Sequence, residues 1–555
     1  TITISIILIP NSIFADIGDT EFKITSADAA AHQYFGNSVS ISGDNAIIGA
    51  PNEDINGIDN SGAVYIFKKN GAEWIQATKT THPDADTHSY GSQFGKSVSI
   101  SGDYAIIGAP SDQAGIAGTN YVGSAFIFKN NGTEWIQEAK LIDYNEVWFQ
   151  RDYGLGSSVA ISGDYAIVGT DIGQSHSVHI FKRDGVEWIS DARFETENNA
   201  SASFGKAVSI SGNYAIVGAS TDNGDGGAGC YSGAAYIFKR DATGWAQHAK
   251  LIAADAVCQD RFADSVSISE NYAIVGAWHN AGNSIEQSGA AYIFKNNGNE
   301  WLQESKLTAN DADSIDYFGG SVSISGNYAI VGAYNDEEGG IGAGSSYIFK
   351  NNGSTWIQET KLIADDAVSN AAFGYSVSIS DNYAIVGAYK DDENGSYSGA
   401  AYMYDIVETI ECTQDDLSQK IQTYIVLTDN SVPINMPPQS YIKVMGSTNT
   451  NTINVETGAH VQLQNFIGSN QINIEEASSQ FTVCRSGATV YLVSSAGTLI
   501  HIPATLTSQT LRFADGSSEL IISGETILLG SQIVDMSGYG VNSPVNTLDT
   551  SAGIF

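Results

Sequence analysis

Residues 94–110 read FGKSVSISGDYAIIGAP, and the pattern in that stretch decides the fold. Val98 and Ile100 alternate with Ser97, Ser99 and Ser101, the period of two that marks a β-strand with one apolar face. Gly102 and Asp103 tolerate the positive φ of a two-residue hairpin turn, so Tyr104 to Gly108 returns as the antiparallel partner. The small serines would let a second sheet approach closely. Farther on, Gly123 to Phe128 reads as a third strand, Asn130-Asn131-Gly132 as a tight turn, and Glu134 to Lys140 as a fourth.

The same phrase recurs. Its leading pair stands at Phe35-Gly36, Phe94-Gly95, Leu155-Gly156, Phe204-Gly205, Phe262-Ala263, Phe318-Gly319 and Phe373-Gly374, roughly every 56 residues. A second glycine follows fourteen positions later in every copy, at Gly49, Gly108, Gly169, Gly218, Gly276, Gly332 and Gly387. Four antiparallel strands in each of seven copies, with no helical apolar period, predict an all-β fold: a seven-bladed β-propeller. The seventh copy, Phe373 to Tyr404, lacks its fourth strand, whereas Glu21 to Asp28 resembles the fourth-strand segment Thr360 to Asp366. The segment near Phe22 is therefore expected beside the strand around Tyr402, which removes an exposed sheet edge.

These copies, over residues 20 to 406, resemble the FG-GAP repeat proteins, the family that includes the integrin α-subunit head. The resemblance implies a closed propeller with a binding or adhesion role. Two departures stand out. Gly-Ala-Pro is complete only at Gly49-Ala50-Pro51 and Gly108-Ala109-Pro110. The family's calcium loop of alternating acids sits between the two markers, and here a short Ser-Gly-Asp/Asn hairpin takes that place, so the usual calcium sites are not carried over.

Three regions follow. Residues 1–15 read as a signal peptide remnant: an apolar run from Ile2 to Ile9, a Pro-Asn-Ser break, and Ala15 where a signal peptidase would cut; a buried strand is the alternative. Residues 16–406 form the propeller. Residues 410–555, where the Phe-Gly copies and Trp cease, carry short alternating strands such as Thr452 to Val455 and Ile472 to Ile474. They suit a smaller all-β domain, a β-solenoid or a β-sandwich, with recurrent Asn-x-Ile-x-Val/Ile phrases favouring the solenoid.

The 25 Lys and Arg against 62 Asp and Glu leave a formal net charge of −37. Such a surface repels phosphate backbones and anionic lipid, which excludes nucleic acid and membrane surfaces as partners. No later apolar stretch approaches a membrane span, so a secreted or cell-surface protein without membrane insertion is expected. Cys230 with Cys258 and Cys412 with Cys484 is the pairing that respects the domain boundary, with buried free thiols as the alternative.

In an up-and-down blade the second-to-third loops and the links between blades share one end, and the long, variable segments all lie there. That end is the expected ligand face. Asp222, Asp225, Asp336 and Asp391 would make it acidic, or would simply be solvated, and Trp148 and Trp278 in variable loops would serve as anchors. Asn52, Asp54, Asn56 and Asp59 place oxygen ligands around Gly57 as a candidate Ca2+ loop, though an acid in first position and a closing Glu are missing. Trp74, Trp135, Trp188, Trp245, Trp301 and Trp356 recur once per copy and are expected to pack blade against blade rather than to stack on sugars.

No His-Glu-x-x-His, Gly-x-Ser-x-Gly or Cys-x-x-Cys occurs, and Gly95-Lys96-Ser97 belongs to a repeated strand with Tyr90 where a phosphate loop opens with Gly. The sequence thus reads as a non-catalytic extracellular binding or adhesion protein for a protein or glycan. A secreted propeller hydrolase or lectin acting on polysaccharide is the alternative.

Overall fold

A computed structural model describes residues 18–406 apart from 19–20, 72, 84–90, 114–121, 143–152, 173–175, 196–202, 225–228, 281–284 and 381, together with 14–15, 409–410 and the strands with some flanking positions between 423 and 534. The chain divides into two compact units, Ile17–Val407 and, separately, Thr1–Asp16 with Glu408–Phe555.

The first unit is a seven-bladed propeller of four-stranded antiparallel sheets. Blade two is representative: Ser97–Ser101, Tyr104–Ala109, Ser124–Asn130 and Trp135–Leu141 lie side by side in chain order. Blade seven is completed from the other end of the unit, because Glu21–Ile24 pairs with Ala400–Asp405, Phe22 opposite Met403 and Lys23 opposite Tyr402. The first strand of every blade touches the first strands of both neighbours, so seven of them ring the axis.

Each core lies between two blades rather than inside one. Seven apolar clusters fill the seven seams among the described residues. The closing seam packs Ile385, Ala401 and Met403 of blade seven on Phe35, Val39, Ile48 and Tyr65 of blade one. Both faces of a sheet are therefore covered. That is why the second strands read Tyr-Ala-Ile-Val-Gly-Ala, with every residue after the Tyr buried, instead of alternating. The marker phenylalanines Phe35, Phe94, Phe204, Phe262, Phe318 and Phe373 are among the largest fully buried side chains, each contributing about 1.5–3 kcal/mol by burial.

The two glycine markers meet across the seams. A Cβ on Gly108 would lie 2.0 Å from the Gly156 carbonyl oxygen of the next blade, and one on Gly387 would lie 2.1 Å from that of Gly36, closing the circle. Their constant spacing is therefore a packing requirement. The serines of the first strand do more than keep sheets close. Ser97 Oγ donates to the Gly156 carbonyl at 2.8 Å, and Ser40 Oγ accepts the Ile100 N–H at 3.1 Å. Equivalent bonds recur at Ser38, Ser158, Ser265, Ser321 and Ser376, and at Ser99, Ser209, Ser267, Ser323 and Ser378. First strands are edge strands, and these hydroxyls satisfy backbone groups that the ladder leaves open.

In the second unit, Phe14–Ala15 pairs antiparallel with Thr409–Ile410. Thr452–Val455 lies parallel between Ile434–Met436 and Gln471–Ile474, with Ile434, Ile453 and Ile472 in register. Ile453, Val455, Ile472 and Ile474 point inward, and Asn473 Nδ2 donates to Asn454 Oδ1 at 2.6 Å. Later strands, Phe481–Ser486, Thr489–Ser494 and Leu499–Pro503, pair antiparallel.

Candidate functional site

Tight turns close one end of the blades and long connections gather at the other, where described links bond back to the loop of the preceding blade. The Gln93, Gln259 and Asn370 N–H groups donate to the carbonyls of Asn60, Cys230 and Ile341 at 3.1, 2.8 and 2.8 Å. A disulfide between Cys230 and Cys258 ties the same two segments at the seam of blades four and five. Cys412 lies outside the described residues.

Three of the loop acids turn inward, while Asp54, Asp59, Glu337, Glu338, Asp392 and Glu393 stay exposed. Asp222, Asp336 and Asp391 are only 8%, 5% and 2% exposed. Each stands four positions after the second marker glycine and turns inward to a third-strand tyrosine and a fourth-strand lysine. Tyr347 Oη donates to Asp336 at 2.9 Å and Lys361 Nζ at 3.0 Å, while the same ammonium holds Asp311 at 2.6 Å and Glu338 at 2.7 Å. Tyr236 and Lys250 bind Asp222 at 2.7 and 3.0 Å, and Tyr402 and Lys23 each bind Asp391 at 3.1 Å. In blade one Glu53 takes the acid's place, with Tyr65 and Lys79. Blade two has Phe126 for the tyrosine. There Asp112 uses Lys140 and Ser124, and His82 approaches it at 3.5 Å. A buried carboxylate needs such partners, and the lysine supplies the charge. Asp225 and Trp148 lie outside the described residues.

The candidate calcium segment is a hairpin. Ile55 and Ile58 pair across Asn56-Gly57, both at positive φ, and Asp54 Oδ1 accepts the Asn60 N–H at 2.9 Å. Asn52 donates its backbone N–H to Gln33, Asp59 is exposed, and the acid turned inward is Glu53. Among the described residues no three His, Cys, Asp or Glu side chains gather as around a metal ion.

The repeated tryptophans are seam residues. Trp74, Trp188, Trp245, Trp301 and Trp356 meet Tyr383, Tyr104, Tyr165, Tyr214 and Tyr272 of the preceding blade edge-on, with centroids 5.3–6.1 Å apart. Blade one offers Asn45 instead of Tyr at that position, opposite Trp135.

Trp278 belongs to a different assembly. Its ring meets Tyr317 at 5.0 Å, and from there Tyr334, Tyr375, Tyr389, Tyr34 and Tyr397 follow with successive centroids 5.4, 5.7, 4.2, 5.5 and 6.0 Å apart. This arc runs over blades five, six, seven and one at the loop end. All its members are half-buried except Tyr397, which is exposed. Trp278, Tyr334 and Tyr389 follow directly on the second-strand Gly-Ala, where the other copies have Pro51, Pro110, Asp171 and Ser220. Tyr34 and Tyr317 precede the marker Phe at φ of 59°, a left-handed conformation held by the surrounding link. Burial pushes the Tyr334, Tyr375 and Tyr389 hydroxyls up, so they stay neutral donors. Lys390 Nζ lies 5.1 Å from the Tyr389 ring centroid, and Lys206 and Asp264, bridged to each other at 2.7 Å, both act on Tyr375 with opposite signs. Of the arc, sequence reasoning singled out Trp278 alone. The signal for Tyr334 and Tyr389 was a position at which the copies disagree.

Among curated proteins none matches the chain. Among solved structures it is similar to the crystal structure of the Saccharomyces cerevisiae Sqt1, at 9% identity and a TM-score of 0.37 over 71% of this chain and 99% of that one. The FG-GAP repeat family matches residues 19–67, 74–128, 196–238, 245–294, 301–349 and 356–404. Blade three falls between these segments, in keeping with Leu155 for Phe, Thr170 for Ala and His179 for the third-strand Tyr. The matches span more than half of the residues, and the chain belongs to the FG-GAP repeat family.

Proposed function

We propose that this is a non-catalytic extracellular binding or adhesion protein that holds a protein or glycan at the loop end of its propeller, with the aromatic arc as the contact surface. The observation that carries this reading is the arc itself: half-exposed Trp and Tyr rings, continuous over four blades, three of them at the position that the other copies fill with Pro, Asp or Ser. Rigid amphipathic rings at low entropic cost are what interfaces concentrate. The propeller supports them with seven packed seams, so little ordering is needed on contact. The Cys230–Cys258 disulfide supports an oxidising compartment, and among the described residues no helix is long and apolar enough to cross a membrane.

The test is a screen of the full chain over immobilised extracellular proteins and glycans, repeated with Trp278→Ala and Tyr389→Ala. A ligand retained by the native chain and lost from both variants supports the reading. A ligand held equally by all three places binding elsewhere and removes the arc from it.

A further inference from the structure

We propose that the loop end docks a protein whose contact face is an apolar patch rimmed by Lys and Arg; this rests on the binding role proposed above and names its partner class. The first observation is where bare apolar side chains lie. Among the described residues, Ile75, Ile136, Val186, Ile189, Leu302 and Ile357 are exposed at or beside the starts of fourth strands, spread round the ring. The other exposed large apolar residues, Tyr231, Val257, Ile315, Ile341, Val368 and Tyr397, are all at the loop end, on blades four to seven and the links between them. Ile341 is 70% and Val257 61% exposed. This set adjoins the arc: the Ile315 carbonyl accepts Asn335 Nδ2 at 2.8 Å, and Asn335 follows Tyr334. The Ile341 carbonyl accepts the Asn370 N–H at 2.8 Å, which brings the Ile341 loop beside the Val368 link.

The aliphatic side chains select the class of partner. A branched apolar group offers a sugar neither a flat face to stack on nor a hydrogen bond, whereas a protein interface buries such groups beside aromatic rings. Charge selects the partner's rim. Lys23 is shared by Asp366, Asp391 and Glu393, and Lys361 by Asp311, Asp336 and Glu338, so both clusters keep a negative surplus. Glu337 and Asp392 are exposed beside them, and among the described residues no basic side chain bridges either. Asp392 Oδ1 accepts the Tyr397 N–H at 2.6 Å and keeps its charge, which sets an anion against the exposed end of the arc. Lys206 is matched by Asp264, which leaves Lys390 as the counterweight. This surplus works against an anionic polymer, and against a second copy of the chain, which would bring the same net charge of −37. A basic rim is drawn in by it and held in register.

The test is selection of a display library of random peptides on the full chain. Calorimetry then follows one recovered peptide, its version with Lys and Arg changed to Gln, and its version with the apolar residues changed to Ser. The expected peptides join apolar residues to Lys or Arg, and either altered version binds about tenfold or more weakly. Ile341→Ser/Val368→Ser, at exposed positions, weakens the recovered peptide about tenfold, whereas Ile357→Ser, on a fourth strand, leaves it unchanged. Glu337→Gln/Asp392→Asn weakens it as well and flattens its dependence on NaCl, while the new Asn side chain still accepts the Tyr397 N–H. The melting transition confirms that each variant is folded. Undiminished binding of the Ser version would mean a polycation on an acidic surface and overturns the inference. Recovered peptides without basic residues, or binding unchanged in Ile341→Ser/Val368→Ser, overturn it too, as does the recovery of no peptide. If no peptide is recovered while a glycan from the screen is lost with Tyr389→Ala, the binding role stands and the protein assignment falls.

Discussion

Lys361→Met tests whether the lysine pegs hold the loop end together. The ammonium binds Asp311, Asp336 and Glu338, whose side chains are 44%, 7% and 57% exposed. The two exposed pairs are worth about 0–1 kcal/mol each at most, since water screens them. Asp336 is different, because removing its counter-charge strands a buried carboxylate, which costs about 3–5 kcal/mol when nothing else compensates. Here the Tyr347 hydroxyl and the Glu338 N–H still bind it, at 2.9 and 2.8 Å, and methionine keeps the packing of the lysine stem. The expected loss is therefore about 2–3 kcal/mol. All eight tryptophans lie in the propeller unit, so Trp fluorescence in urea reports that unit alone. The decisive comparison is the double variant Lys361→Met/Asp336→Asn, which removes the stranded charge and should return to within about 1 kcal/mol of the native chain. A single variant as stable as the native chain, or a double variant no better than the single, would refute the reasoning.

Three further outcomes are expected. Gly108→Ala forces a Cβ to 2.0 Å from the Gly156 carbonyl, backbone against backbone, and should cost about 3 kcal/mol, whereas Gly132→Ala, with open space around it, should cost about 1 kcal/mol of φ strain; equal urea midpoints would contradict the seam contact. The pH profile of the melting temperature should rise and then fall. Burial pushes the Asp28 carboxyl up, but bonds from Lys79, Ser26 and Tyr65 outweigh it and hold it at about 2, so its contribution is present above the ordinary 3.8 and is lost as pH falls towards 2. Burial, with Asp336 and Asp313 adding to it, pushes Asp316 up to about 6, so stability declines as pH rises from 3.8 through 6; Asp316→Asn should flatten that decline, and an unaltered slope would count against it. Reduction of Cys230–Cys258, read by urea midpoint with and without reductant, should lower stability by about 2–4 kcal/mol, and no change would mean that the link and loop hold their places without it.

The propeller was legible because its determinants repeat. Phe-Gly and the later glycine keep one spacing in seven copies since each glycine meets the other in the next blade, and an insertion between them would break two seams at once. Closure was legible for the same reason, because Glu21 to Ile24 carries the fourth-strand pattern that blade seven lacks. The inward turn of Asp336 and its counterparts was not. It depends on a tyrosine and a lysine brought from the third and fourth strands, and spacing along the chain does not show that Tyr347 and Lys361 end beside it. The serine bonds escaped likewise, since their acceptors lie one blade away.

The arc follows the opposite logic, and that is the argument for its role. A position set by the fold is filled alike in every blade, as the Gly-Ala pair nearly is. The residue just after that pair is Pro51, Pro110, Asp171, Ser220, Trp278, Tyr334 and Tyr389 in turn, so the scaffold makes no demand there. Half-buried aromatics at such a position cover surface that the other blades cover without them. Rings stacked edge to edge over consecutive blades five, six, seven and one form one surface rather than three chance substitutions, since Tyr317, Tyr375 and Tyr34 bridge them from the links. What the seven copies share specifies the ring of blades; where four of them part company, the molecule has the only continuous aromatic track among its described loop-end residues.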